Sequence, residues 1–169
     1  MDTARTMITM KQGKTKFTYR IGGIIIYSGR ALFQRATQDP EKIFWFLPGG
    51  RAEVGESAKE TLEREMIEEL GEIVQVGPLL YIVENFFEDT RKHHELGLYF
   101  SVTLPATSYL LNETQTIVRE EQGITLPVIF DWLPLAQLTD LNIQPKFFKN
   151  ALQELPQQPT HIVLNDPHL

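Results

Sequence analysis

Three carboxylates in the stretch 50–71, GRAEVGESAKETLEREMIEELG, are spaced for chemistry rather than for stability. At about 100° per residue on a helix, Glu69 falls roughly 40° to one side of Glu65 and Glu68 roughly 60° to the other, so all three share one arc. An arc of oxygen-only ligands suits a hard divalent cation such as Mg²⁺ or Mn²⁺, which keeps part of its water shell and bridges to substrate phosphates. All three also fall in the second half of the helix that the stretch encodes. There the macrodipole is negative, and each carboxylate costs roughly 0.3–1 kcal/mol. No Lys follows to offset them. A solvated acidic face is the bland alternative. It accounts well for Glu60, which pairs with Arg64 at i,i+4, and for Glu63, but poorly for Glu65, Glu68 and Glu69.

The element that must position these groups is written into the same residues. Ser57 followed by Glu60 is a capping box, in which the hydroxyl accepts from the third helical amide and the carboxylate reaches back to the cap amide. Ala58, Leu62, Met66 and Leu70 recur every fourth residue as one apolar stripe, and Gly71 can close the last turn in the left-handed conformation. The spacing predicts a helix of about 13 residues after Ser57.

Gly50, Glu56, Arg64, Glu65, the apolar Met66, Glu68, Glu69 and Gly71, at these spacings and after Pro48 and Gly49, resemble the Nudix box. Seven fixed positions at about 5–7% each make a chance match on the order of one in a million for a chain this long. One position departs from the pattern: the apolar residue expected after the last glycine is Glu72, with Ile73 one place later. It lies past the helix cap, so a local packing change is expected there rather than lost chemistry.

The resemblance implies a hydrolase that cleaves a diphosphate linked to another moiety, with Mg²⁺ (or Mn²⁺ in its place) held by the box. Carried over position by position, it makes Glu65 and Glu69 the principal metal ligands and Glu68 a further ligand or base. The carbonyl of Gly50 becomes an added ligand, and Arg64 and Glu56 a pair that fixes the loop against the helix. It further implies an α+β fold of Nudix-like α/β/α sandwich type with a mixed sheet.

The 169-residue chain, with 22 acidic and 16 basic residues and a formal charge of −6, fits one unit with a sizeable core and argues against nucleic acid or membrane as partner. The expected partners are a small-molecule nucleotide and, left open, a second copy in a homodimer. With no cysteine, disulfides and thiolate metal sites are excluded, and a Nudix-like prenyl diphosphate isomerase, whose chemistry relies on a Cys, is disfavoured. The longest aliphatic run, Ile24 to Ile26 with Tyr27, is too short to span a bilayer, and the amino terminus lacks a signal pattern. A cytoplasmic protein is expected, which leaves the sequon at Asn112 without meaning.

In chain order, residues 1–15 read as a flexible arm before a unit over 16–169. Gly13-Lys14-Thr15 lacks the glycine five places earlier that a phosphate loop needs, Ile8 standing there. Strands are predicted for Phe17–Tyr27, its hairpin partner Arg30–Ala36, Ile43–Leu47, Ile73–Val76, Leu79–Phe87 with a bulge at Gly77 and Pro78, His94–Leu104 and Val128–Leu133. A short last strand is placed at His161–Leu164. Gln38–Lys42 reads as a turn and Pro105–Leu126 as a loop with one short helix. Phe147, Ala151 and Leu155 form the stripe of a final helix from about Pro145.

Outside the box, Glu95 is the candidate for an extra carboxylate facing the metal, an exposed strand residue being an equal alternative. His93 and His94 read as turn residues, since Mg²⁺ prefers oxygen. Arg20 and Arg35 lie on strands leading toward the box and could clamp phosphates, surface charge being the other reading. Trp45, Phe86, Phe87, Tyr99 and Trp132 could stack on a base, though most read as core. Phe86–Thr90 contains neither the proline of ADP-ribose-cleaving relatives nor the tyrosine of dinucleoside-polyphosphate ones. The expected substrate is therefore a nucleoside triphosphate, oxidised or not. The alternatives are a nucleotide sugar or ADP-ribose, and a binding module without turnover.

Overall fold

The protein is seen as a computed structural model that describes residues 5–36, 41, 43–120 and 127–166. Its strands are β1 (Thr9–Gln12), β2 (Thr15–Ile24), β3 (Ile26–Tyr27), β4 (Arg30–Arg35), β5 (Trp45–Phe46), β6 (Gly49–Arg51), β7 (Gln75–Glu88), β8 (Lys92–Thr103), β9 (Ile117–Arg119), β10 (Val128–Pro134) and β11 (Thr160–Asp166). The helices are α1 (Ala58–Leu70) and the four-residue α2 (Phe148–Ala151), with 3-10 turns at Tyr109–Asn112 and Leu135–Asp140. This is the α+β class expected from the sequence.

One sheet is mixed, in the order β1-β2-β8-β7-β11 with β6 also on β2. Its β2–β8 and β7–β11 pairings are parallel, and the rest are antiparallel. The second sheet, β3-β4-β10-β9 with β5 on β4, is antiparallel. Two apolar clusters result from the period-two alternation of these strands. Ile21, Leu62, Met66, Leu70, Val102, Leu32 and Phe130 form one, joining α1 to both sheets. Ile24, Phe33, Leu80, Tyr81, Tyr99, Phe148 and Leu152 form the other. Leu32 thus faces the first cluster while its neighbours Ala31 and Phe33 face the second.

Several expectations are corrected here. The arm predicted over residues 1–15 is structured from Arg5 onward: β1 pairs with β2, and Ile8 donates to the carbonyl of Ala52. Residues 1–4 lie outside the described residues. Main-chain pairing can hold a polar segment without an apolar periodicity, which is why no pattern announced it. His93 and His94 are strand residues of β8 rather than turn residues. The strand predicted over Ile43–Leu47 shortens to Trp45–Phe46. The final helix shrinks to α2, in which the fully buried residue is Phe148 and not the predicted stripe. Apart from Glu41, the turn predicted at Gln38–Lys42 lies outside the described residues, as does the 121–126 end of the long loop. The bulge at Gly77 and Pro78 appears as register shifts between Val76, Leu79 and Tyr81 within β7. No helix among the described residues is long and apolar enough to cross a membrane, which leaves β-barrels untouched.

Candidate active site

Helix α1 begins and ends where its caps dictate. Ser57 Oγ accepts from the Glu60 amide at 3.3 Å, the Ser57 amide donates to Glu60 Oε2 at 2.8 Å, and Gly71 closes the helix at φ +71°. The face turned inward carries Leu62, Met66 and Leu70, but also Glu65 and Glu69, both buried. Burial of a carboxylate is costly without compensation. Glu65 is admitted because Gly50 of β6 has no side chain: a Cβ there would overlap the Glu65 carboxyl. Burial pushes the Glu65 carboxyl above the usual range, Arg64 opposing and Glu68 adding to the shift.

Arg64 organises the loop and the helix together. It grips Glu56 through two bonds, Nε to Oε1 at 2.8 Å and Nη2 to Oε2 at 3.1 Å. Its Nη1 donates to Glu65 at 2.7 Å and Glu68 at 3.2 Å, and Nη2 donates to the carbonyl of Arg51 at 3.3 Å. The bonds it donates to Glu56, foremost, and to Glu65 raise the affinity of Arg64 for its proton against the effect of burial, and the same guanidinium holds Glu56 below the usual carboxylate range. Thr61 Oγ1 also donates to Glu56, at 2.9 Å. Past the cap, Glu72 accepts a hydrogen bond from Ser108, and the Tyr109 hydroxyl donates to the carbonyl of Leu70. The odd position of the box is thus absorbed by local polar contacts.

Two participants went unread in the sequence. Glu53 is buried on the box loop, and its Oε1 accepts no hydrogen bond, with Arg64 at 3.7 Å and Arg5 at 3.8 Å as nearby cations. Arg5 also pairs with Glu68. The only sequence hint was the acidic residue three places after Gly50. As the side chains stand, no three acidic or histidine residues among the described residues converge to enclose an ion, because Arg64 stands between Glu65 and Glu68. The donor set nevertheless fits a hard divalent cation. It is made of oxygen only, it includes a buried carboxylate oxygen on Glu53 without a hydrogen bond, and the bare Gly50 backbone admits the Glu65 carboxylate.

Glu95 is not among the box carboxylates. Odd positions of β8 share the face of Tyr99, in the cluster that excludes α1, so period two carries Glu95 to the opposite side of the sheet. It lines a cavity of about 240 Å³ with Arg20, Phe44, Phe46, Leu47, Asn85, Phe87, Tyr99 and Gln144. Burial pushes its carboxyl up, with Arg20 the chief opposing charge. Arg20 stands at the junction: it donates to the Leu47 carbonyl at 2.9 Å, lies 5.3 Å from the Phe46 ring centre, and acts electrostatically on both Glu65 and Glu95.

Arg35 and Trp45, the other two residues expected to meet substrate, stand outside that cavity, in a network of their own. Arg35 clasps Asp131 of β10 through Nε at 2.7 Å and Nη2 at 2.8 Å, and Trp45 Nε1 and Thr116 Oγ1 each donate to the same carboxylate at 2.7 Å. Burial pushes Asp131 up, but these hydrogen bonds outweigh it and hold the carboxyl low. The network ties β4, β5 and β10 together. Period two turns Trp45 away from the cavity that Phe44 and Phe46, one residue to either side, line. Of the other aromatics, Phe87 lines the cavity and stacks on His93 at 4.4 Å, while Phe86 stacks on His94. Tyr99 is core, its ring against Gly22 and Gly97, and Trp132 donates to the Leu110 carbonyl in the other cluster.

The fold resembles solved Nudix proteins. A MutT protein from Methanosarcina mazei Go1 is 20% identical with a TM-score of 0.55, the match covering 85% of this chain and 94% of that one. A NUDIX hydrolase from Nitrosomonas europaea is 18% identical with a TM-score of 0.57, over 93% and 81%. A UDP-X diphosphatase is 20% identical with a TM-score of 0.55, over 80% of this chain and 59% of that one. No curated protein matches. The family model for the NUDIX domain matches residues 17–153, and with the capped carboxylate helix and its Arg64–Glu56 clasp in place, the chain belongs to the Nudix family.

Proposed function

We propose that this Nudix-type diphosphatase hydrolyses a nucleoside triphosphate, oxidised or not, between its phosphates. The observation that carries the reading is the place of Arg20, which lines the cavity with Glu95 and sits on β2 opposite Arg51, next to the Ile21–Gly50 pair that joins β2 to the box loop. A substrate laid across it has its phosphates at the box and its base between Phe44, Phe46 and Phe87, with Asn85, Gln144 and Glu95 available to the base edge. At about 240 Å³ the cavity lies below the roughly 300–1,000 Å³ of sites that enclose a whole drug-sized ligand. One ring system fits better than a second nucleoside.

Glu65, Glu68, Glu69 and the Gly50 carbonyl, with Glu53 beside them, are the groups that would hold Mg²⁺ or Mn²⁺, which when bound neutralises phosphate charge and acidifies water. The chain supplies the rest. Arg64 fixes Glu65 and Glu68 against the loop, Arg20 binds and orients phosphate, and Glu68, more exposed than Glu65, is placed to take a proton on a carboxylate oxygen. The acidic balance favours a free nucleotide over nucleic acid or a membrane surface as the partner, and a cytoplasmic site of action goes with that reading.

A substrate panel in Mg²⁺, with phosphate and diphosphate release measured separately, tests this. Release from nucleoside triphosphates is the expected result. Turnover confined to nucleotide sugars or ADP-ribose would replace the substrate, and binding without turnover would leave the nucleotide-holding module.

A further inference from the structure

The segment before β1 is fastened to the box loop. The Val54 amide donates to the Thr6 carbonyl at 2.8 Å, the Ile8 amide donates to the Ala52 carbonyl at 2.8 Å, and Met7 bridges Glu53 in antiparallel fashion. This pairing delivers the Arg5 side chain to the box, where Nη1 donates to Glu68 Oε1 and Nε lies 3.8 Å from Glu53 Oε1. The other Glu68 oxygen accepts from Arg64, so guanidinium cations engage both. The two arginines are held differently. Arg64 has 17% of its side chain exposed and is bound by Glu56, Glu65, Glu68 and the Arg51 carbonyl, whereas 61% of Arg5 is exposed. Where a second cation must reach Glu68, Arg5 is the one that yields.

We propose that Arg5 is a built-in counter-cation of the box, competing with the divalent ion for Glu68 and Glu53 and, once displaced, contacting substrate phosphate. The proposal rests on the metal-dependent reading given above. Its two halves act in opposite directions. Removing Arg5 deletes a competitor and a repelling charge, so metal binds more tightly. It also deletes an exposed donor tethered beside Glu68, so substrate binds more weakly. Loss of a merely structural contact would weaken both.

Calorimetric titration of Mn²⁺ into the parent, Arg5→Ala and Arg5→Lys tests the first half without turnover. The Mn²⁺ dissociation constant of Arg5→Ala should fall about two- to fivefold, the scale of one exposed ion pair, with Arg5→Lys between. The gain should shrink in a Glu68→Gln background. On the best panel substrate, KM of Arg5→Ala should rise while kcat changes less. Mn²⁺ affinity equal to or weaker than the parent's in Arg5→Ala overturns the competition, and an unchanged KM overturns the phosphate contact. A parent that binds no Mn²⁺ overturns the metal-dependent reading along with it.

Discussion

Gly50 and Glu65 are in such close approach that a single methyl group on the glycine would occupy the space of the carboxyl. The glycine is there for room, since its φ is not among the positive ones. Gly50→Ala should therefore displace the Glu65 side chain rather than strain the backbone. Overpacking of this kind costs about 1–3 kcal/mol, and turnover should fall more than stability does. Urea midpoints beside kcat/KM check the pair, and an unaltered kcat/KM would contradict the placement of Glu65 in the reaction.

Glu69 is buried near the carboxyl end of α1, whereas Glu63 on the same helix is exposed. Glu69→Gln removes one charge from the box and relieves the negative helix terminus, so stability should hold or rise while activity falls. If the group anchors about 3 kcal/mol of transition-state stabilisation, kcat/KM drops on the order of 10². Glu63→Gln is the control and should change turnover little. Equal activity in Glu69→Gln and the parent would favour the nucleotide-holding module.

Arg20 and Arg35, indistinguishable as strand arginines, should separate cleanly. Arg35→Ala leaves the Asp131 carboxylate with Trp45 and Thr116 only and should cost about 2 kcal/mol, with KM unmoved. Arg20→Ala should raise KM at smaller cost in stability. Melting curves and KM for the two variants decide the matter, and the opposite assignment would return Arg35 to the substrate.

The Glu95 carboxyl is pushed above its usual range by burial. Between the unfolded and folded values the native state binds more protons than the unfolded chain, so the stability this group contributes is full at low pH and is lost as pH rises through the raised value. Glu95→Gln removes that loss. The variant should be more stable than the parent at pH 7 to 8, and the difference should vanish toward the ordinary carboxylate range. Urea unfolding across that interval measures it, and a pH-independent difference would mean that Glu95 is ionised throughout.

The sequence by itself determined α1 to the residue, from Ala58 to Leu70, because the Ser57–Glu60 box and the Gly71 cap are local hydrogen-bond devices that need only neighbours in the chain. It also determined the family, since the box spacing is a property of one helix and its loop. The strands β2 to β5, β7, β8, β10 and β11 were announced by apolar alternation for the same local reason, whereas β1, β6 and β9, held by main-chain pairing, were not. Tertiary structure alone decided which face each strand residue presents and to whom. Register put Glu95 across the sheet from α1, sent Phe44 and Phe46 rather than Trp45 to the cavity, and gave Arg35 to Asp131, 96 residues away. It likewise brought Arg5 against Glu68, a pairing 63 residues apart made by main-chain bonds that carry no side-chain signature. Contacts of that range depend on how two sheets meet, and a helix-period or strand-period pattern holds no information about it.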